Sequence, residues 1–321
     1  MTRLIRRVAL AGAAAVLLAG VWVQNARAEF PEKPVEMTIL FGGTANSIGQ
    51  LLAELMSKTL AKPVVAVSRT GGGGAVGYSH VQATAPDGYN IVWNSNSIST
   101  AHHQGNMPFN YEAFTPIARI STEVPAIAVR TDSGWNSLQE MADAVKTSGD
   151  KLKVGISGKG SFTHLTSAAL FEALGIGDRV IYVPYGQGRA PAELLGGRID
   201  AAIQWPGQFA SHAEAGTLKV LAVTSADRIA LMPDVPTAKE QGADIDITMW
   251  RGLAAPKGTP AEVVEMLEKA ARTASENEAF IEASKTLGFT PAFLPKDKFA
   301  ELIAADDKTI SKLMDDLGLK E

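Results

Sequence analysis

The chain has 321 residues, of which 46% are hydrophobic and none is cysteine. Without cysteine the protein can form no disulfide, no thiolate metal site and no lipid anchor on a processed N-terminal cysteine. Residues 1–28 contain four arginines and no acidic residue, so the rest of the chain holds 26 basic and 34 acidic side chains and a formal charge of −8. This acidic balance argues against a nucleic acid or an anionic membrane surface as the partner.

The N-terminal segment has the layout of a secretory signal peptide. Three arginines, the last of them Arg7, precede the apolar run VALAGAAAVLLAGVWV, and Ala26-Arg27-Ala28 forms a small-x-small cleavage site. The apolar run is short for a membrane-spanning helix. We therefore predict cleavage after Ala28 and a mature protein that is free in the periplasm. The adjacent Arg6 and Arg7 leave both general and twin-arginine export open.

The mature sequence alternates short β-rich runs with helix-periodic segments, which is typical of an α/β protein with a largely parallel sheet. The first predicted strands are VEMTILF, PVVAVS and NIVWNS, with helices near 47–60 and 75–84. After about residue 125 come AIAVR, KLKVGIS, VIYVPY, IDAAIQW and LKVLAVTS, with helices near 137–147, 162–174, 189–195 and 207–215. Helices near 260–275, 277–287 and 296–316 close the chain. We expect two lobes joined by more than one crossover, with the ligand site in the loops that follow the strands.

Two of these strands run into glycine-rich turns that open helices. The first turn is FGGTANSIG, and VGISGKGSFTHL repeats the same order in the second group. Turns of this kind present unpaired backbone N–H groups, and their small residues let a ligand approach closely. Two such turns that face each other could hold a carboxylate or phosphate between the lobes. Ordinary packing turns are the alternative.

The second turn does not match the catalytic motifs that it partly resembles. Lys153 stands where a phosphate-binding loop needs its first glycine, and Lys159 stands where a nucleophile elbow needs its last. Ser161 and His164 lie one helical turn apart and could form a catalytic pair, but no acidic residue in the sequence context would orient the histidine. A helix cap by Ser161 is the simpler interpretation.

The sequence predicts neither a nucleotide cofactor nor a metal. The segment 72–77 fits G-x-G-x-x-G, but the strand that follows ends in Asn94-Ser95-Asn96 and lacks the acidic residue that holds a ribose. A packing turn or a cleft-lining loop is the better interpretation of these glycines. The five histidines show no metal-ligand spacing.

Taken in order, several segments resemble one known family. They are PVVAVSRTGGGGAVG, APDGY, SGKGSFTHL, VPYGQGRAPAELLGGRIDAAI, LAVTSADRIALMPDVPT and GLAAPKGTP. The family comprises the Bug-type extracytoplasmic solute receptors of tripartite tricarboxylate transporters, and the resemblance spans essentially the whole mature chain. It implies a type II periplasmic-binding-protein fold of two lobes, each a mostly parallel sheet flanked by helices, which close about a hinge. We expect residues 29–126 and 250–321 in the first lobe and residues 127–249 in the second.

The resemblance also implies a function. Such a receptor is not an enzyme and needs no cofactor; it captures a small organic carboxylate and delivers it to a separate two-subunit membrane permease. We expect the receptor to be a monomer. A ligand-sensing binding protein for a signalling partner and a periplasmic serine hydrolase are the alternative functions.

The family's ligand loops can be placed on this chain residue by residue. They match Gly42, Gly43, Thr44, Ala45 and Asn46 in the first lobe, and Ser157, Gly160, Ser161, Thr163 and His164 in the second. Arg69 matches an arginine before the family's glycine loop, either as a ligand contact or as a brace for the loop.

This chain departs from the family pattern in ways that bear on the ligand. The family commonly has Asp where this chain has Asn46, and often has Asp where it has Gln204; a shortened segment here also carries Arg189. Fewer negative charges and an added cation favour a ligand with at least two carboxylates and no ammonium group. The alternative is that neither amide touches the ligand.

Overall fold

The computed structural model describes residues 30–186 and 188–321. The predicted signal peptide and its cleavage site after Ala28 lie outside these residues. Across the described part of the chain, no helix is long and apolar enough to cross a membrane. The described residues form two lobes, each built on one sheet.

The first lobe is built on a six-stranded sheet. Its strands are β1 (Val35–Ile39), β2 (Val64–Ser68), β3 (Asn90–Ser95), β4 (Phe114–Glu123), β10 (Met249–Pro256) and β11 (Phe289–Pro295). Their order across the sheet is β11-β4-β10-β3-β1-β2. The helices of this lobe are α1 (Thr44–Ser57), α2 (Ala75–Gln82), α3 (Ser97–His103), α8 (Ala261–Ser275), α9 (Glu278–Leu287) and α10 (Lys296–Asp316).

The helices cover both faces of this sheet because its strands are apolar on both sides. In β3, Ile91 and Trp93 belong to one buried cluster with α1 and α8, whereas Val92 between them belongs to another with α2, α3 and α10. Successive side chains of a strand point to opposite faces, so the unbroken apolar run in NIVWNS reports a doubly covered strand.

The second lobe is built on a five-stranded sheet. Its strands are β5 (Ala126–Arg130), β6 (Leu152–Ile156), β7 (Val180–Pro184), β8 (Ala201–Gln204) and β9 (Leu218–Val223), in the order β7-β6-β8-β5-β9. Its helices are α4 (Leu138–Ser148), α5 (Phe162–Ala173), α6 (Ala190–Leu195) and α7 (Ala210–Glu214). Here too the sheet has an apolar cluster on each face, with Ile127 in one and Ala128 in the other.

The predicted two-lobed α/β fold is confirmed, but its sheets are mixed where the sequence predicts mostly parallel ones. β10 runs antiparallel to β3 and β4, and β5 runs antiparallel to β8 and β9, so both sheets are mixed. The reason is the hinge: β5 and β10 begin where the chain has just crossed between lobes, whereas β4 and β9 end there. The exact lobe bounds that we expect from the sequence stay a prediction.

The two crossovers lie side by side. The first is Val124-Pro125 and the second spans residues 224–248. The N–H of Thr224 donates to the carbonyl oxygen of Pro125 at 3.0 Å, and its hydroxyl donates to the carbonyl oxygen of Ile247 at 2.8 Å. Behind the hinge, Ile310 of α10 shares a buried apolar cluster with Phe162 of α5, so the last long helix of the first lobe also packs on the second.

The sequence patterns do not predict four of these elements. They are α3, β4, β10 and β11. β4 contains Pro116, which lies opposite Ala254 of β10 where the register shifts, and this irregularity lets a proline occupy an interior strand. β11 is an edge strand, where its prolines are tolerated.

Candidate ligand-binding cleft

A cavity with a volume of about 600 Å³ lies between the two lobes. We call it the ligand cavity. It is lined by loops that follow strands in both lobes, as expected for an open α/β sheet. Its lining residues are Leu40, Phe41, Gly42, Thr70, Gly71, Gly72, Gly73, Asn106, Ser157, Gly158, Lys159, Pro184, Gly186, Gly188, Arg189 and Gln204.

The first loop, residues 42–46, joins β1 to α1. Gly43 is the N-cap of α1 and no side chain caps the helix. The N–H groups of Gly42, Gly43 and Thr44 make no hydrogen bond to another described residue. Trp93 fixes the start of the helix, because its indole N–H donates to the carbonyl oxygen of Ala45 at 3.0 Å. The first loop therefore offers free backbone donors at a helix N-terminus, which suits an anion.

The second loop, residues 157–161, joins β6 to α5 and differs from the prediction. The N–H of Ser157 donates to the hydroxyl of Thr163 at 2.9 Å, and the N–H of Gly160 donates to Nδ1 of His164 at 3.2 Å. Ser161 caps α5 by accepting from the N–H of His164. These side chains satisfy the backbone of their own loop, so the N–H groups of Ser157 and Gly160 are not available to a ligand in this conformation.

His164 holds the second loop from behind. It is buried, does not line the ligand cavity, and packs its ring edge-to-face with Tyr182, with ring centroids 4.7 Å apart. Burial, with a smaller contribution from the charge of Lys159, lowers the pKa of His164 from 6.5 to about 4. The imidazole is therefore neutral at pH 7, as it must be to accept a hydrogen bond from Gly160.

Of the predicted side chains, Gln204 is the best placed to donate a hydrogen bond into the cavity. It lines the ligand cavity and is 1% exposed. Its Oε1 accepts from the hydroxyl of Ser157 at 3.2 Å, whereas its Nε2 has no hydrogen-bond partner among the described residues. A buried amide donor without a partner is costly, so a ligand acceptor that reached it would gain a well-placed hydrogen bond.

The charged side chains in the described lining of the ligand cavity are all positive. Lys159 and Arg189 line the ligand cavity, and none of its described lining residues is Asp or Glu. Both cations are exposed at its rim, and Lys159 also lies 3.5 Å from Glu321. The rim is thus positive although the chain as a whole is acidic, and a positive rim suits an anion.

The lobes are in contact around the mouth of the cavity. Nδ2 of Asn106, from the first lobe, donates to the carbonyl oxygens of Gly72 at 3.2 Å and of Lys159, across the cleft, at 3.1 Å. A Cβ built on Gly73 would lie 2.7 Å from that same Lys159 carbonyl oxygen, and one built on Gly188 would lie 2.8 Å from Cα of Gly43. The glycines are what allow the lobes to meet.

The glycine loop, residues 70–73, and Asn106 are cavity residues that the sequence analysis did not assign to the ligand. The sequence allows either a packing turn or a cleft-lining loop here, and in the structure the loop lines the cleft. Asn106 follows α3 in a segment without a motif, so no sequence signal identifies it.

Several predicted residues lie away from the ligand cavity. Of the predicted set, Gly42, Ser157 and Gln204 line it; Ser161 and Thr163 line a smaller chamber beneath it; and Gly43, Thr44, Ala45, Asn46, Gly160 and His164 line neither. Asn46 turns to Ser68, whose hydroxyl donates to its Oδ1 at 3.0 Å. Arg69 acts as a brace, with Nη1 2.7 Å from Glu36 and 3.2 Å from the hydroxyl of Thr38.

The geometry does not assemble a catalytic Ser161–His164 pair. The hydroxyl of Ser161 contacts the backbone N–H of His164 and the hydroxyl of Thr163, and Nδ1 of His164 is taken by Gly160. Among residues 30–186 and 188–321, no group of three or more His, Cys, Asp or Glu side chains could hold a metal ion.

Residues 48–319 match the family model described as "Tripartite tricarboxylate transporter family receptor". The chain belongs to this family. It is 34% identical over 277 residues to the "UPF0065 protein in the TAR-I ttuE-ttuC' intergenic region" of Agrobacterium vitis, covering 84% of this chain and 79% of that protein.

Solved structures agree with this membership. The periplasmic binding protein BugD is 31% identical, with a TM-score of 0.83 over 91% of this chain and 99% of that one. MatC of Rhodopseudomonas palustris with bound malate has a TM-score of 0.81 at 24% identity, covering 88% and 99% of the two chains. R. palustris Rpa4515 with adipate has a TM-score of 0.84 at 23% identity, covering 90% and 99%. The last two establish the fold alone. The Bug-type resemblance in the sequence is confirmed.

Proposed function

We propose that the protein is a periplasmic receptor that captures a small organic di- or tricarboxylate and delivers it unchanged to a two-subunit tripartite tricarboxylate transporter permease. The observation that carries the proposal is the polarity of the ligand cavity. Both charged residues among its described lining, Lys159 and Arg189, are cations. Gln204 presents a free amide donor, and Gly42 of the first loop has a backbone N–H without a described partner.

The ligand class follows from the number and spread of these donors. The first loop and Gln204 belong to opposite lobes, and Lys159 and Arg189 stand at the rim. A molecule with one carboxylate would satisfy only part of this set, whereas one with two or three could reach both lobes. An ammonium group would meet cations and no carboxylate, so amino acids should be excluded. The bound malate of MatC and adipate of Rpa4515 are compatible with this class.

The volume of the ligand cavity is consistent with a small-molecule ligand. About 600 Å³ lies within the range of small-molecule sites. The free Nε2 of Gln204 supports a receptor role, because a ligand that pairs it would stabilise the closed lobes. We place the mature protein in the periplasm, as a monomer, on the basis of the predicted signal peptide and family.

Thermal unfolding of the chain from Glu29 onward tests the proposal. The protein should be unfolded and refolded first to remove trapped ligand, then heated with malate, succinate, adipate, citrate, monocarboxylates, amino acids and nicotinate. A ligand at about 100 times its Kd adds about 2.7 kcal/mol of stability, which raises Tm by several degrees.

Succinamate is the matched control for succinate, since it has the same length and one carboxylate fewer. We expect a selective Tm rise with one or a few di- or tricarboxylates and a much smaller rise with the amide. A rise with amino acids alone would contradict the assigned ligand class, and turnover of any ligand would contradict the receptor role.

A further inference from the structure

A second cavity lies directly beneath the ligand cavity. It has a volume of about 10 Å³, and we call it the inner chamber. Phe41 and Ser157 line both cavities, so these two residues form the wall between them. Ser161, Thr163, Trp205 and Arg251 contribute to the rest of its lining. A space of this size holds one water molecule and nothing larger.

Arg251 lines this chamber and has an unused donor. The side chain is 1% exposed and lies on β10 at the hinge end of the first lobe. Its Nε and Nη2 donate to the two carboxylate oxygens of Glu123, the latter at 3.2 Å, while Nη1 has no hydrogen-bond partner among the described residues. The ring of Trp205, from the second lobe, lies 5.2 Å from its guanidinium carbon. A buried charged donor is rarely left without an acceptor.

One observed hydrogen bond leads from the inner chamber toward the ligand cavity. Ser157 lines both cavities, and its hydroxyl donates to Oε1 of Gln204 at 3.2 Å. The N–H end of the same amide is the orphaned donor that lines the ligand cavity. A water in the chamber could accept from Arg251 and donate to Ser157, which would complete a path in which every donor points toward the ligand.

We propose that Arg251 is a specificity-determining positioning residue for the anionic ligand, and that it acts through a water in the inner chamber, Ser157 and Gln204. The inference rests on the proposed function and adds to it a buried charge that no sequence motif indicates. Donation by a cation polarises each later bond in the same direction, which makes Nε2 of Gln204 a better donor to a carboxylate. Glu123 accepts from Nε and Nη2 and thereby leaves Nη1 free for the water.

The test uses a variant that removes the charge without leaving a buried ion unpaired. Replacing both partners of a buried ion pair is far better tolerated than removing one, so Arg251→Met is combined with Glu123→Gln. Ser157→Ala breaks the path at its middle, and all three substitutions together complete a double-mutant cycle. Calorimetry would measure Kd for succinate, malate, adipate and succinamate, and a high-resolution crystal structure of the ligand-free protein would locate the water.

We expect the Arg251→Met, Glu123→Gln variant to bind its best dicarboxylate about fivefold to tenfold more weakly than the wild type. The loss for succinamate should be smaller. In the Ser157→Ala background the same two substitutions should change Kd by less than about twofold, because the path is already broken. The crystal structure should show a water within hydrogen-bond distance of Nη1 and of the Ser157 hydroxyl.

Three results would overturn the inference. They are an inner chamber without a water, equal losses for dicarboxylate and monoamide, and fully additive losses in the cycle; the last two would assign Arg251 a structural role only. These results leave the proposed function standing, since the wild type would still bind its dicarboxylate. A wild type that binds no carboxylate at all would instead contradict the proposed function.

Discussion

The loops that open α1 and α5 have similar sequences but use their backbone groups differently. The first loop has a glycine N-cap, no side-chain cap and three N–H groups without a partner among the described residues. The second has a serine N-cap, and its backbone is tied to Thr163 and His164. The first lobe thus offers bare backbone donors, whereas the second offers side chains: Gln204, Lys159 and Arg189.

We infer that the two lobes contribute differently to ligand binding. Free N–H groups at a helix start bind any anion and discriminate little between anions of different shape. Side chains on a loop that is rigidly held can discriminate, because their positions and charges are specific to the chain. The first lobe should therefore set basic affinity for a carboxylate, and the second should set which carboxylate is accepted. The following predictions test this division.

The largest expected effect is that of Gln204→Glu. The substitution keeps the side-chain size and the acceptor for Ser157, but it replaces the free N–H with an oxygen and adds a negative charge in the cavity. We expect Kd for a dicarboxylate to rise about a hundredfold, or about 3 kcal/mol, as measured by calorimetry.

Asn46→Asp is the matched control, because it makes the same chemical change at the other departure from the family pattern. Asn46 faces Ser68 and does not line the ligand cavity, so Kd should change by less than about threefold. Comparable losses in the two variants would show that the first loop also reads ligand charge, which would contradict the division proposed here.

The next effect concerns closure of the lobes. A Cβ on Gly73 would lie 2.7 Å from the carbonyl oxygen of Lys159 and 2.9 Å from the carbonyl carbon of Gly160, both in the opposite lobe. Backbone atoms cannot move aside as the end of a side chain can. Gly73→Ala should therefore hold the lobes apart and weaken ligand binding about thirtyfold, or by about 2 kcal/mol.

Gly72→Ala separates this wedge from backbone strain. Gly72 and Gly73 have φ of +55° and +65°, so an alanine is strained at either, but a Cβ on Gly72 would meet only Ala75 of its own lobe. Its Kd should stay within about threefold of the wild-type value. Small-angle scattering with saturating ligand should show an expanded Gly73→Ala protein; a compact one would contradict the wedge.

A third prediction concerns the support of the second loop. The pKa of His164 is lowered from 6.5 to about 4, so between these values the unfolded chain binds a proton that the folded protein excludes. Stability should fall as pH falls through this window and stay level above about pH 7. The histidine contributes about 2 kcal/mol to the loss between about pH 7.5 and 5.

Urea unfolding of the wild type and His164→Asn measures this contribution. An asparagine can still accept from Gly160 but cannot take up a proton, so the difference in stability between the two proteins should change by about 2 kcal/mol over that range. Other titrating groups cancel in the difference. Parallel stability curves would show that His164 does not carry the pH dependence, and that the second loop is held by other contacts.

The sequence was sufficient for the architecture and for the location of the cleft. Doubly covered strands carry unbroken apolar runs, such as Ile91-Val92-Trp93 in β3, and glycine-rich turns after strands are local signals. β4 was missed because Pro116 is a local signal against a strand, and only the register shift opposite Ala254 accommodates it.

The sequence did not predict which partners the site residues bind. Thr163 and His164 were assigned to the ligand, and in the structure they hydrogen-bond to backbone groups of their own loop. Sequence identifies residues with hydrogen-bonding capacity but not the partner that each one meets first. Asn106 bridges the lobes only because the fold brings Gly72 and Lys159 to the same place.

The smallest expected effects are those of removing the two rim cations, and Arg189→Gln should have the larger of the two. The side chain is exposed, so its charge is screened, and its removal should weaken dicarboxylate binding about threefold to fivefold at low salt, or by about 1 kcal/mol. Lys159→Gln should cost less, because Glu321 already offsets part of that charge. Calorimetry at about 20 mM and about 300 mM salt should show both losses shrinking as the Debye length falls.

A loss for Arg189→Gln that persisted at high salt would mean that the guanidinium contacts the ligand directly in a desolvated site. The second lobe would then select its ligand by a bidentate contact at its rim, in addition to the donor of Gln204 within the cavity.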